Sequence, residues 1–209
     1  MLYDTDDNRF LRFGTFDTYS RELSDGTGDI FPWIQPEGRV LWYAENTMDT
    51  EGGSSNGNSF ALMKDTETNQ FHIYKFYAYS NAYKRAYYAI NSSLATGIND
   101  AKLFAFSSKR SMFLYAVGKT LYAYDYNKGY EKLYKMELDD EITMLKFDIQ
   151  SNTTYNDLYI ATYNSTTGGT LQKYVLGTDQ NKFELTPDER CHWTDLVKVK
   201  DMDWRNSTK

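Results

Sequence analysis

Only two histidines, His72 and His192, and one cysteine, Cys191, occur among the 209 residues. A mononuclear zinc site draws three or four ligands from His, Cys and carboxylates, so this inventory predicts no His-rich metal centre. Cys191-His192 sets a nucleophile beside a base in sequence. Successive strand residues point to opposite faces, so a working dyad there requires a turn. Asp4-Thr5-Asp6-Asp7-Asn8 is dense in oxygen ligands, but it lacks the glycine and closing glutamate of a calcium loop and reads as a solvated hairpin turn. Asp139-Asp140-Glu141 and the pair Asp201 and Asp203 contain the carboxyl groups that glycoside hydrolysis needs in twos at a set separation. Acidic turns are the usual explanation for such clusters. GxSxG, P-loop and GxGxxG patterns are absent. The expectation is therefore no catalytic residue, no cofactor and no metal.

Aromatic rings are the remaining chemistry. With 19 Tyr, 12 Phe and 4 Trp, some rings must lie where a flat face can stack on a sugar or anchor a peptide. Phe31, Trp33, Tyr79, Tyr83 and Trp193 fall outside the strands the sequence predicts. They are the candidate ligand-binding residues, against the alternative that they pack between sheets. Sequons at Asn91, Asn152, Asn164 and Asn206 match N-x-[ST], a weak signal in a Ser/Thr-rich chain.

The elements that would carry these rings are short strands. Residues 102–137 contain the runs Leu103–Phe106, Met112–Val117, Leu121–Tyr126 and Glu131–Met136, separated by Ser107–Arg110, Gly118-Lys119 and Asn127–Gly129. Gly and Asn accept positive φ at little cost, which is hairpin chemistry. Met112–Val117 has no polar alternation, so both faces of that strand should be covered.

The pattern recurs. An apolar-x-x-aromatic signature stands at Phe71…Tyr74, Leu121…Tyr124 and Leu171…Tyr174, at a constant spacing of 50 residues. Leu2–Phe10 lies over Met63–Phe71 without a gap, and Leu114-Tyr115 and Phe104–Phe106 lie over Leu158-Tyr159 and Leu145–Phe147. Propeller blades repeat at roughly 40–50 residues with four strands each. The remaining strands expected are Val40–Ala44, Phe60–Lys64, Phe71–Tyr77, Ala86–Ile90, Met144–Ile149, Leu158–Tyr163, Leu171–Leu176, Lys182–Leu185 and Leu196–Trp204. The fold class predicted is all-β, a single β-propeller-like domain over 1–209 with about four blades of four-stranded antiparallel meanders, or part of a larger propeller.

The first residues read as a second strand and Leu196–Trp204 as a first strand, so together they would complete one blade. That closure predicts a monomer; a cut from a larger ring predicts a dimer through an uncovered blade face. Net charge of −6 and a pI near 5.0 argue against nucleic-acid binding, which usually needs a basic stripe. No apolar run reaches the ~18 residues of a membrane helix, and Met1–Asp4 carries no basic or apolar leader pattern. One cysteine leaves no internal disulfide.

The segments FAFSSKRSMFLYAVGKTLYAYDY, DDEITMLKF, NDLYIATYNSTTGGTL and LVKVKDMDW resemble the C-terminal propeller-like region of the PKD-like family lipoproteins of Bacteroidetes, across most of the chain. The resemblance implies an extracytoplasmic setting at the cell surface or in the periplasm. It also implies nutrient-acquisition systems built on outer-membrane uptake proteins as partners. It brings no catalytic residues. With the ring abundance, it leads to a non-enzymatic module binding a glycan or peptide. The competing expectations are a propeller hydrolase or lyase using acidic residues, and a purely structural interaction domain.

Overall fold

A computed structural model describes residues 2–4, 9–11, 16–17, 22–23, 39–47, 58–64, 68–77, 86–91, 93–107, 112–126, 131–147, 157–179 and 182–202. These residues are all-β, with one turn of 3-10 helix at Ile98–Asp100. The chain forms two compact units, Met1–Glu45 with Asn58–Ala89, and Asn46–Gly57 with Ile90–Lys209.

In the first unit β1 (Leu2–Asp4) pairs with β2 (Arg9–Leu11), and β3 (Phe16–Asp17) with β4 (Glu22–Leu23). β5 (Arg39–Thr47), β6 (Asn58–Lys64), β7 (Phe71–Tyr77) and β8 (Ala86–Ile90) follow as a four-stranded antiparallel sheet in chain order. Ala61, Leu62, Met63, Phe71 and Ile73 are buried in it. The gap-free match of Leu2–Phe10 to Met63–Phe71 is reproduced in the hydrogen bonding. Tyr3 opposes Phe10 as Lys64 opposes Phe71, and Leu2 opposes Leu11 as Met63 opposes His72.

The second unit holds two more four-stranded sheets, each in chain order. One is β9 (Leu103–Ser107), β10 (Met112–Val117), β11 (Thr120–Asp125) and β12 (Lys132–Glu137). The other is β13 (Glu141–Phe147), β14 (Asp157–Asn164), β15 (Gly168–Leu176) and β16 (Leu185–Leu196). Gly118, the first residue of the two-residue β10–β11 turn, has φ 58°, the positive value such a turn needs there. The backbone N–H groups of Leu138 and Ile142 donate to the carbonyls of Lys119 and Gly118 at 3.0 and 2.9 Å, tying the β12–β13 connection to that turn. None of the three sheets closes on itself. The three strands that carry the 50-residue signature, β7, β11 and β15, are each the third strand of a separate sheet.

The two sheets pack face to face. Ala105, Met112, Leu114, Ala116, Leu121 and Ala123 meet Ile142, Leu145, Phe147, Leu158, Ile160 and Leu176 in one apolar layer. The other face of β9–β12 is aromatic. Phe104 stacks on Phe113, and Tyr115 on Tyr122, with centroids 5.7 and 4.9 Å apart. Tyr115 donates to the Thr96 carbonyl at 2.7 Å, and the Tyr124 hydroxyl accepts from the Asn91 N–H at 3.0 Å. Met112–Ala116 are all buried, so β10 is covered on both faces, as its unbroken apolar run requires.

Three expectations need correction. Leu114-Tyr115 and Leu158-Tyr159 align in sequence, yet Leu114 opposes Ala123 while Leu158 opposes Tyr174, the aromatic of the signature. The β10–β11 turn has two residues and the β14–β15 loop three, Ser165–Thr167. An odd change of loop length moves a strand's side chains to the other face. Lys182–Leu185 was expected as the last sheet's fourth strand, but 182–184 are not strand and β16 runs Leu185–Leu196. Phe183 instead packs on Tyr134, centroids 5.8 Å apart, at the edge of the apolar layer. Residues 197–202, expected within a strand Leu196–Trp204, are not strand. Asp195 adopts φ 56° within the second register shift, and Leu196, paired with Gly169, is the last residue of the ladder.

Candidate functional site

The ring expected to be functional that lies among the described residues is Trp193. Phe31, Trp33, Tyr79 and Tyr83 lie outside them, as do Asp6, Asp7, Asn8, Asp203 and the sequons Asn152 and Asn206. Trp193 does not sit in a loop: it stands in β16 opposite Leu171, and it is 45% exposed.

Its placement follows from how β16 is built. Pairing runs Leu176 to Leu185, Val175 to Thr186 and Tyr174 to Pro187, then breaks. Residues 188–191 oppose Lys173 alone before His192 meets Gln172 and Trp193 meets Leu171. The register shifts again before Leu196 meets Gly169. β16 is thus an edge strand with two irregularities, the device by which edges avoid pairing with other chains and by which side chains are re-aimed. Gln172 satisfies the first bulge: its Nε2 donates to the carbonyls of Lys173, Asp188 and Cys191 at 2.7, 2.9 and 3.3 Å.

Within that bulge Asp188 accepts from the Arg190 N–H at 3.2 Å, from its Nε at 3.1 Å and from its Nη2 at 3.2 Å. Lys173 Nζ stands 3.2 Å from Asp188 and 3.1 Å from Asp157. These three side chains keep only 10–16% of their surface exposed, whereas Arg190 keeps 88%. The Arg190 side chain, then its N–H, then Lys173 hold the Asp188 carboxyl well below the usual carboxylate range. Burial pulls the Lys173 ammonium down, but its hydrogen bonds to Asp157 and Asp188 outweigh that and leave it raised. The result is a fixed polar network with one open guanidinium edge, on the strand that carries the open indole of Trp193.

Other chemistry-bearing residues have structural settings. His72 is buried in β7 opposite Met63. Cys191 and His192 occupy successive positions of β16, half-buried and exposed. Asp140 accepts from Asn164 Nδ2 at 2.7 Å, Glu141 pairs with Lys198 at 3.4 Å, and Asp201 with Lys146 at 2.8 Å. The hydrogen bond from Lys146 lowers the Asp201 carboxyl, opposite to the direction a general acid needs. The sequons Asn91 and Asn164 are turn-formers, their Oδ1 atoms accepting from the N–H groups of Ser93 and Thr166 at 3.1 and 2.9 Å. No group of metal-ligating side chains occurs among the described residues, and no described helix is long and apolar enough to cross a membrane.

The sequence reading missed the Asp188-x-Arg190 pair, whose only signal is an acid two residues before a base. Its junction with Lys173 and Asp157 has no local signal, because it depends on the register of three strands. Compared with family models, with curated proteins and with solved structures, the chain matches none.

Proposed function

We propose that the chain is a non-enzymatic ligand-binding module whose ligand, a glycan or a peptide, docks on the outer face and edge of the β13–β16 sheet. The observation that carries this is the open Trp193 indole held in a strand beside the Arg190–Asp188–Lys173–Asp157 network. A flat apolar ring next to fixed, charge-neutral polar groups suits a sugar's apolar face and hydroxyl rim, or an aromatic or carboxylate side chain of a peptide. Rigid placement lowers the ordering cost of binding.

The architecture belongs to the same reading: a propeller-like series of about four meanders. It is supported by the chain-order sheets, the third-strand signature and the dense packing of the first strands β9 and β13 on each other. An extracytoplasmic role beside outer-membrane uptake proteins, as in PKD-like family lipoproteins, completes the proposal.

A panel of polysaccharides and peptides, scored for both binding and reducing-end release, is the test. Binding without release, weakened about tenfold or more in Trp193→Ala, is the expected outcome. Release abolished by a single Asp or Glu substitution makes the chain an enzyme. No response to any member of the panel leaves a structural interaction domain.

A further inference from the structure

The face of β13–β16 turned away from β9–β12 is built as a packing face, and residues 197–202 lie on it. Leu121 points from β11 into the apolar layer shared with the next sheet, in the cross-strand row Leu103–Ala116–Leu121–Met136. Its 50-residue counterpart Leu171 stands in the row Met144–Ala161–Leu171–Trp193. The two rows match in kind: large apolar, Ala, Leu, large apolar. Repetition therefore gives the outer face the chemistry of a sheet-to-sheet interface. Met144 and Ala161 at one end of the row are 2% and 0% exposed, while Trp193 at the other is 45% exposed. One end of the row is covered.

The segment after β16 is seated at that end by contacts of three kinds. A Cβ on Gly169 would lie 2.6 Å from the Val197 carbonyl oxygen and 2.9 Å from that of Leu196, so the chain crosses where a side chain is missing. Lys198 Nζ lies 5.6 Å from the Tyr163 ring centroid and 3.4 Å from Glu141. Glu141, Tyr163, Gly169 and Leu196 form a single cross-strand row. Lys146 Nζ then donates to Asp201 at 2.8 Å and to the Met202 carbonyl. The two anchors on β13, Glu141 and Lys146, flank Met144.

We propose that residues 197–202 are a strap over the outer face of the last sheet, occupying part of the surface that the repeat builds for a following sheet, and that the strap is releasable. Both ion pairs that hold it are solvent-exposed, with side chains 34–78% accessible, and exposed pairs are individually weak. The strap uncovers Met144 and Ala161 when it lifts and leaves Trp193 open in either state, so the inference is independent of the ligand-binding reading.

Peroxide footprinting of methionines in the full chain reads this out. Met144 stands on β13 between the strap's two anchors, 2% exposed, and Met112 lies in the apolar layer between the sheets, 0% exposed. In Lys146→Ala with Asp201→Ala, and in Gly169→Ala, Met144 oxidation should rise several-fold while Met112 stays protected. Exchanging the charges, Lys146→Asp with Asp201→Lys, should restore protection of Met144. Unchanged Met144 protection, or oxidation of Met112 in step with Met144, overturns the strap.

Discussion

Tyr115 and Tyr124 set the chemistry of the aromatic face of β9–β12, since both rings are fully buried and both hydroxyls are committed to backbone partners. Burial pushes Tyr124 up to about 12 and moves Tyr115 upward as well. A raised folded-state value favours the neutral phenol, so its contribution is fully present below the unfolded value of 10.0 and is lost as pH rises toward 12. Asp188 has the opposite sign. Its depressed carboxyl contributes above the unfolded value of 3.8 and loses that contribution only as pH falls below the ordinary carboxylate range. Stability measured by urea unfolding should therefore fall steeply above pH 10. Tyr115→Phe with Tyr124→Phe should flatten that alkaline limb, and an alkaline limb unchanged by the double substitution would refute the assignment.

At the scale of elements, the β10–β11 hairpin shows how sequence becomes structure. Gly118 carries φ 58°, and a Cβ there would meet nothing within 4 Å. Gly118→Ala therefore isolates the cost of a left-handed backbone in an L-residue, about 1–2 kcal/mol, and Gly118→Asn should recover part of it. Equal stability of all three forms would mean that the turn does not need positive φ. This hairpin was readable because its turn residues and its unbroken run Met112–Val117 are local signals. β16 was not readable. Its pairing to β15 is interrupted twice, so period-2 alternation fails along it, and Trp193 looked like a loop residue although it stands in a strand. The opposite error occurred at 197–202, where alternation is present but the ladder ends at Leu196, just past the second register shift that holds Asp195 at φ 56°. The polar network beside Trp193 was hidden for a third reason: Asp157, Lys173 and Asp188 meet only through a register that loop lengths decide.

The described residues form three four-stranded antiparallel sheets in chain order, preceded by two two-stranded hairpins, and the third strand of each four-stranded sheet carries a signature repeated every 50 residues. In the second unit the apolar member Leu121 faces the following sheet. The aromatic member of the next copy, Tyr174, packs back against the preceding one. That polarity gives the β9–β12 and β13–β16 sheets a common direction along the chain, which is the feature the proposed propeller-like series rests on. It also explains why the outer face of the last sheet is apolar enough to need a strap, yet open enough at Trp193 to offer a ligand a ring. Distances between strand pairs of the β9–β12 and β13–β16 sheets, read by spin labels in the full chain, test this account most directly. Successive blades bring the first strands β9 and β13 close together and leave the last strands β12 and β16 far apart. Equal spacing of the two pairs, as in a closed two-sheet sandwich, would contradict the account.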